Sequence, residues 1–335
     1  MREDPQALYE EADRIRKEYC GDAVHKRAII EFSNYCRRDC GYCGIRRGNS
    51  KLARYRMGGD EILAAAKVAA EFGYKTLVLQ SGEDAHDTID QLCDLIRGIK
   101  DQVDCAITMC VGEKTYEEYR AMRDAGADRY LLKFETSNRE LFQKLKPDSS
   151  YDERITCLRW LRELDYQVGS GSMVGLPGQT PEMLADDILL MKEFDFDMIG
   201  IGPFIPHPDT PFQSVTGGSL AMTLKMVALA RIMTQNTHLP ATTAIGSIHP
   251  QGRQMALKCG ANVIMPNFTP QKFRAHYQIY PNKICVNDRP SDCTVCVDLM
   301  IRSLGRSIAT DFGHSLKRGG RELTQTACKS EPGSL

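Results

Sequence analysis

Two stretches, RAIIEF (27–32) and, beyond a cysteine-bearing loop, DEILAAAKVAAEFGYKTLVLQ (60–80), decide the fold. The first is a short apolar run of strand length. The second opens on an Asp60 cap, places Ile62, Leu63 and Ala66 at helical spacing as far as Phe72, and then runs into a new apolar stretch, Thr76–Gln80. Strand, helix, strand at this spacing is a parallel unit with a right-handed crossover. The pattern recurs along the chain. Further apolar runs lie at Cys105–Thr108, Tyr130–Phe134, Gln167–Ser172, Met198–Ile201, Ala241–Thr243 and Val263–Met265. Thr180-Pro181-Glu182 starts one intervening helix with a cap, an N1 proline and an acidic first turn, and Leu220–Thr234 reads as another. Eight such units close into a complete (β/α)8 TIM-type barrel, with its chemistry at the C-terminal strand ends. An open doubly wound sheet is the competing arrangement. Around the barrel, expected at residues 26–305, the sequence suggests an N-terminal helical extension (1–25) and a C-terminal tail (306–335).

The 335 residues carry 43 basic and 44 acidic side chains, and a net charge of −1 gives no electrostatic footprint for nucleic acid or an anionic membrane. No apolar run approaches the roughly 20 residues of a spanning helix, and the charged N-terminus has no signal-peptide core. The expectation is therefore a cytoplasmic protein. In that reducing setting thirteen cysteines are not a disulfide framework. Six of them form two tight triplets; the scattered remainder read as small buried hydrophobes.

The first triplet, Cys36-x3-Cys40-x2-Cys43, follows the first strand directly, with Arg37, Arg38 and Asp39 making the loop too polar for a core. A structural zinc wants four ligands, and no fourth Cys or His stands nearby. Three thiolates suit a [4Fe–4S] cubane with one iron left open. This loop, with Tyr42 before the last cysteine, resembles the radical S-adenosylmethionine (SAM) superfamily. The resemblance implies that SAM chelates the open iron and is cleaved reductively to a 5′-deoxyadenosyl radical. It also implies that Ser81, Gly82 and Glu83 hold the SAM amino group and that Glu135 and Arg154 reach its ribose or methionyl part. The glycine-rich stretch 169–180 is expected to face adenine.

Longer blocks extend the likeness: IIEFSNYCRRDCGYCGIRRGN (29–49), LVLQSGED (77–84), GSMVGLPGQT (171–180), DFDMIGIGPFIPHPDTP (195–211) and CGANVIMPN (259–267) resemble the HydE family of [FeFe]-hydrogenase maturases, over roughly residues 20–305. That family is related to biotin synthase and methylornithine synthase. The resemblance implies action on a cysteine-derived iron–carbonyl–cyanide precursor, work alongside HydG and HydF maturases, and a reductant such as flavodoxin or ferredoxin. Thr108, Thr242, Thr243 and Ser247 are candidates to bind such an anion, with Met265 and Tyr280 lining its cavity; each has an ordinary core or strand role as its alternative. Where the family often has Arg-His before the glutamate of the fourth strand, this chain has Lys133-Phe134, which keeps a charge but loses the guanidinium fork.

The second triplet, Cys285-x7-Cys293-x2-Cys296, has a counterpart in some HydE proteins. The resemblance implies a second, labile cluster near the surface, [2Fe–2S] or [4Fe–4S]; a zinc site with an unidentified fourth ligand is the alternative. A methylornithine-synthase-like amino-acid enzyme and a non-catalytic Fe–S assembly protein are the alternatives for the whole chain.

Overall fold

A computed structural model describes residues 5–317. Six parallel strands form one continuous sheet in the order β2 (Ala28–Ser33), β3 (Thr76–Ser81), β4 (Ala106–Cys110), β5 (Arg129–Leu131), β6 (Gln167–Ser170) and β8 (Met198–Ile199). These strands are inward and outward apolar because helices cover one side and the barrel interior the other, as parallel sheets require. Two short pieces, β7 (Met173–Val174) and β9 (Gly202–Pro203), pair with each other just beyond the ends of β6 and β8.

The ring closes through shorter pairings. Ile199 N–H donates to His238 O at 3.0 Å, and Ala241 N–H donates to Val263 O at 2.8 Å, so residues 238–241 act as the seventh strand. The eighth is β10 (Val263–Ile264), whose extension reaches β2: Ile29 N–H donates to Pro266 O at 2.9 Å and Phe268 N–H to Ile29 O at 2.7 Å. The (β/α)8 barrel expected from the alternation is thus present. Its seventh strand lies earlier than Ala241–Thr243, because Thr242 is already the N-cap position of the helix Thr243–Ile248.

The helices start where short hydroxyl or amide side chains can hold an early N–H. Thr88, Thr115, Asn138, Ser150, Thr180 and Ser219 each accept from the N–H three residues on. The helix expected after Thr180 to run to Glu193 forms as Pro181–Phe194, and Leu220–Thr234 forms as read. The helix Gly59–Glu71 begins a residue before the expected Asp60 cap. Its N-cap is Gly58, whose N–H donates to the Glu61 carboxylate at 3.0 Å, and the buried stripe is Ile62, Ala65, Ala66 and Ala69.

The described residues flanking the barrel strands on both sides pack against it. The helix Gln6–Cys20 packs on Leu220–Thr234. The strand β1 (Ala23–Lys26) pairs with β10 on one side and with β11 (Ser307–Ile308) on the other. The stretch expected to be a tail from 306 therefore starts as structure: residues 311–317 cover the N-terminal end of the barrel. Arg129 donates to Phe312 O at 2.7 Å and Arg27 to Gly313 O at 3.1 Å, while Ser315 N–H donates to Gln167 Oε1 at 2.8 Å. The rest of the expected tail lies outside the described residues. With that end plugged, the open end is the C-terminal one.

Candidate active site

A cavity of about 360 Å³ occupies the C-terminal end of the barrel, with lining residues from the region beyond every strand. Its size suits a small-molecule site. Cys36, Cys40 and Cys43 stand together on its wall. Among the described residues no three His, Cys, Asp or Glu side chains gather as ligands of a single ion. A cubane asks for something different, since each thiolate meets its own iron.

The loop carrying these cysteines is tied down on several sides. Arg37 N–H donates to Glu83 O at 2.8 Å, Gly41 N–H to Leu145 O at 2.8 Å and Asp39 N–H to Asp148 Oδ2 at 3.0 Å. Glu83 N–H points at Cys36 Sγ from 3.4 Å. Gly82 makes that approach geometrically available: a Cβ there would lie 2.2 Å from Tyr35 O. Burial pushes all three thiols up, Cys40 to about 11, so the thiolates need a positive partner in this cavity. An iron–sulfur core supplies it.

Beside the cysteines, two guanidinium groups and two carboxylates alternate. Arg38 Nε donates to Glu83 Oε2 at 2.5 Å, and its Nη2 donates to Glu113. Arg154 Nε donates to Glu113 Oε1 at 2.7 Å, with its Nη1 on Lys133 O at 3.0 Å. Arg154 Nη2 stands 3.9 Å from Glu83 Oε1 and is buried without a hydrogen-bond partner. Gly112 (φ +81°) gives Glu83 its place, since a Cβ there would fall 1.8 Å from Glu83 Cγ.

Glu135 follows β5 in a left-handed conformation (φ +67°) that a glutamate seldom adopts. Two backbone bonds hold it there, Glu135 N–H to Gly171 O and Met173 N–H to Glu135 O, both 3.0 Å. Its Oε1 accepts from Tyr42 at 3.3 Å; Oε2 has only Lys133 Nζ at 3.4 Å and lacks a well-formed hydrogen bond. Burial opposes its ionisation, yet Lys133, Lys146 and Arg154 outweigh that and its pKa lies below the usual glutamate value. The cavity therefore offers an orphan donor, Arg154 Nη2, and an orphan acceptor, Glu135 Oε2, near three thiols. That set fits a ligand with a carboxylate at one end and hydroxyl or ammonium donors elsewhere.

The other expected residues divide. Ser81, Thr242, Thr243, Met265 and Tyr280 line the cavity. Two of their hydroxyls are already engaged, Ser81 on Gly82 O at 2.7 Å and Thr242 on Ile201 O at 3.3 Å. Thr108 is not in this cavity: it faces a small void deeper in the barrel, next to Arg27 and Arg129, because it points inward one pair below the strand end. Ser247 is also outside, bound to Thr243 O at 3.0 Å on the next helix turn. Of the stretch 169–180 only Met173 lines the cavity; Gly200 and Gly202 of the following strand line it too. Phe134 turns away and stacks on Phe196 at 6.3 Å in the core, whereas Lys133 faces the cavity.

The second triplet is split. Cys285 (φ +63°) and Cys293 line the far side of the same cavity rather than a surface site, while Cys296 on the helix Pro290–Ser303 is exposed. Cys285 and Cys293 influence one another, the first thiol being pushed up and the second held down. Nearby, Lys283 pairs with buried Glu31. Arg38, Glu113, Lys146 and the Glu31–Lys283 pair escaped the sequence reading. Glu113 had a usable signal, its position directly beyond a strand end; Lys146, at a helix C-terminus, had none.

The radical SAM superfamily model matches residues 30–191, which contain the first triplet and the Glu83, Glu113, Glu135 and Arg154 positions. The [FeFe] hydrogenase maturase subunit HydE of Thermotoga maritima is 54% identical over 92% of this chain and 88% of its own length. The chain belongs to the HydE family. With the radical SAM superfamily come a [4Fe–4S] cluster and SAM. More distantly, 3-methylornithine synthase of Methanosarcina acetivorans is 28% identical over 78% of this chain and 74% of its own. The crystal structure of methylornithine synthase superposes with a TM-score of 0.81 at 25% identity, covering 92% of this chain and 90% of that one. The maturase HydG of Carboxydothermus hydrogenoformans shares the fold (TM-score 0.75, 23% identity, covering 89% of this chain and 70% of that one). Among the described residues no helix is long and apolar enough to cross a membrane.

Proposed function

We propose that this chain is a radical SAM maturase of [FeFe] hydrogenase, acting in the cytoplasm on a cysteine-derived iron–carbonyl–cyanide precursor. The observation that carries the reading is the convergence of Cys36, Cys40 and Cys43 with the orphan atoms of Arg154 and Glu135 on one cavity wall, in a chain 54% identical to a HydE protein. Cluster and SAM together supply a 5′-deoxyadenosyl radical. The protein's own contribution is to hold and orient. Arg154 Nη2 takes the methionyl carboxylate, and Glu135 accepts from the ribose or amino group. Glu83, already bound by Arg38, takes its place beside Cys36 as an acceptor for the amino group. The plugged floor and packed helices keep water from the radical. Thr242, Thr243, Met265 and Tyr280, with Lys133, form the wall offered to the precursor.

HydG- and HydF-type maturases are the proposed partners, with flavodoxin or ferredoxin as reductant. For the second triplet we propose a labile cluster, [2Fe–2S] or [4Fe–4S], with the neighbouring Cys285 and Cys293 as its inner pair and Cys296 joining by turning inward.

The test is anaerobic incubation of reconstituted protein with SAM, dithionite and the product of a HydG maturase. Deoxyadenosine formation that rises with added precursor is expected. Turnover indifferent to precursor but stimulated by a free amino acid would overturn the maturase reading in favour of a methylornithine-synthase-like enzyme.

A further inference from the structure

Among the cations lining the cavity, four have a carboxylate at ion-pair distance: Arg38 with Glu83 and Glu113, Arg154 with Glu113, Lys133 with Glu135, and Lys283 with Glu31. Two further cations of the lining, Lys146 and Arg253, have no ion pair among the described residues, and of these Lys146 is the buried one. Lys146 is 95% buried and lines the cavity, and among the described residues its ammonium has no ion pair; the carboxylates within its field, Glu113 and Glu135, are each already paired with another cation. The Phe142 ring lies beside Lys146, 5.7 Å from Nζ to the centroid. A buried ammonium left in this state is costly unless something anionic completes it.

What stands opposite is the cysteine wall. Lys146 follows Leu145, whose carbonyl accepts from Gly41 between Cys40 and Cys43, and Asp148 two residues on accepts from Asp39. The ammonium is therefore carried on the segment that clamps the cluster loop.

We infer that Lys146 is the countercharge of the cluster, a positioning residue that sets how readily the cubane held by Cys36, Cys40 and Cys43 accepts its electron. This rests on the radical SAM reading of the site. Three thiolates leave a cubane net negative, and the incoming electron deepens that charge in a poorly solvated place. Net charge, hydrogen bonds to sulfur and exposure are what set such potentials. A fixed ammonium beside the cluster stabilises the reduced form more than the oxidised one.

The experiment is an EPR-monitored reductive titration of the anaerobically reconstituted full chain without SAM, comparing wild type, Lys146→Met, Lys146→Gln and Lys146→Arg. Iron and sulfide contents are measured on each. At a fixed potential the reduced-to-oxidised ratio is expected to fall about tenfold in the Met and Gln variants, a midpoint about 59 mV lower for a one-electron couple. The Arg variant should stay within about twofold of wild type, because it keeps the charge. Neutral variants that lose the cluster while Arg retains it would also support the assignment. Neutral variants with a full cluster and the wild-type midpoint would overturn it, as would loss of the cluster in the Arg variant too. A wild-type chain with no cubane signal would instead sink the radical SAM reading on which the assignment stands.

Discussion

The two cysteine triplets share a chemistry and a C-x2-C core, yet the fold treats them oppositely. Cys36, Cys40 and Cys43 sit on a loop fixed by backbone bonds to Glu83, Leu145 and Ile279, and all three side chains meet the cavity. Cys285, Cys293 and Cys296 are distributed over a loop residue in a left-handed conformation and a helix, and the third faces solvent. On a helix, residues three apart share a face only loosely, so Cys293 can be buried at 3% exposure while Cys296 is not. Spacing names candidate ligands; only the supporting backbone decides whether they converge.

The comparison is tested most severely at the first triplet. Alanine at Cys36, Cys40 or Cys43 should abolish the cubane and SAM cleavage, checked by iron content and deoxyadenosine release. A Cys40→Ala protein that still cleaves SAM would erase the distinction between the triplets. Next in size is Arg154→Met. It removes one of the two guanidinium groups that hold buried Glu113, leaving Arg38 and Ser149, and weakens the hold on Glu83; breaking a buried pair outright costs about 3–5 kcal/mol, so a smaller loss is expected here. Chemical denaturation should show that loss, with weakened SAM binding. Arg154→Lys should recover part of the stability but less of the affinity, since the fork is gone.

Much of this was readable from residues. The strand–helix alternation gave the barrel because parallel strands buried on both faces are continuous apolar runs bounded by capped helices. Cys36, Cys40, Cys43, Glu83 and Glu135 were accessible because barrel chemistry lies just past strand ends. What escaped has a physical cause. Lys146 and Arg38 look like surface charges in one dimension, and their burial depends on long-range packing. Ser247 and Thr108 were drawn in by residue type, while the structure spends one on a backbone carbonyl and turns the other into the barrel interior. The 306–317 segment reads as a tail because its role is to offer backbone carbonyls to Arg27 and Arg129, and carbonyls have no sequence signature.

A smaller effect is expected where the fold makes room for the first triplet's neighbours. Gly112→Ala puts a Cβ into Glu83 and forces a non-glycine residue to positive φ, a strain of about 1–3 kcal/mol. Its thermal midpoint should fall and its SAM affinity weaken, with the cluster retained because Gly112 touches none of the three cysteines. Loss of the cluster would mean that Glu83 positions the thiols as well as the ligand.

The finest division lies within the second triplet. Cys293→Ser replaces a buried sulfur that lines the cavity with Cys285 and should lower stability measurably, and it should also reduce any iron beyond the first cluster. Cys296→Ser changes an exposed side chain and should shift stability by no more than about 0.5 kcal/mol. If the second cluster forms by Cys296 turning inward, Cys296→Ser should lower the additional iron while leaving stability and SAM cleavage unchanged. Iron analysis of these two variants beside wild type separates the cases. Equal loss of additional iron with unequal loss of stability is the expected pattern, because the serine at 296 removes a ligand and nothing from the core. Unchanged iron in Cys296→Ser would restrict the second site to the Cys285–Cys293 pair, and the triplet would then be one in sequence only.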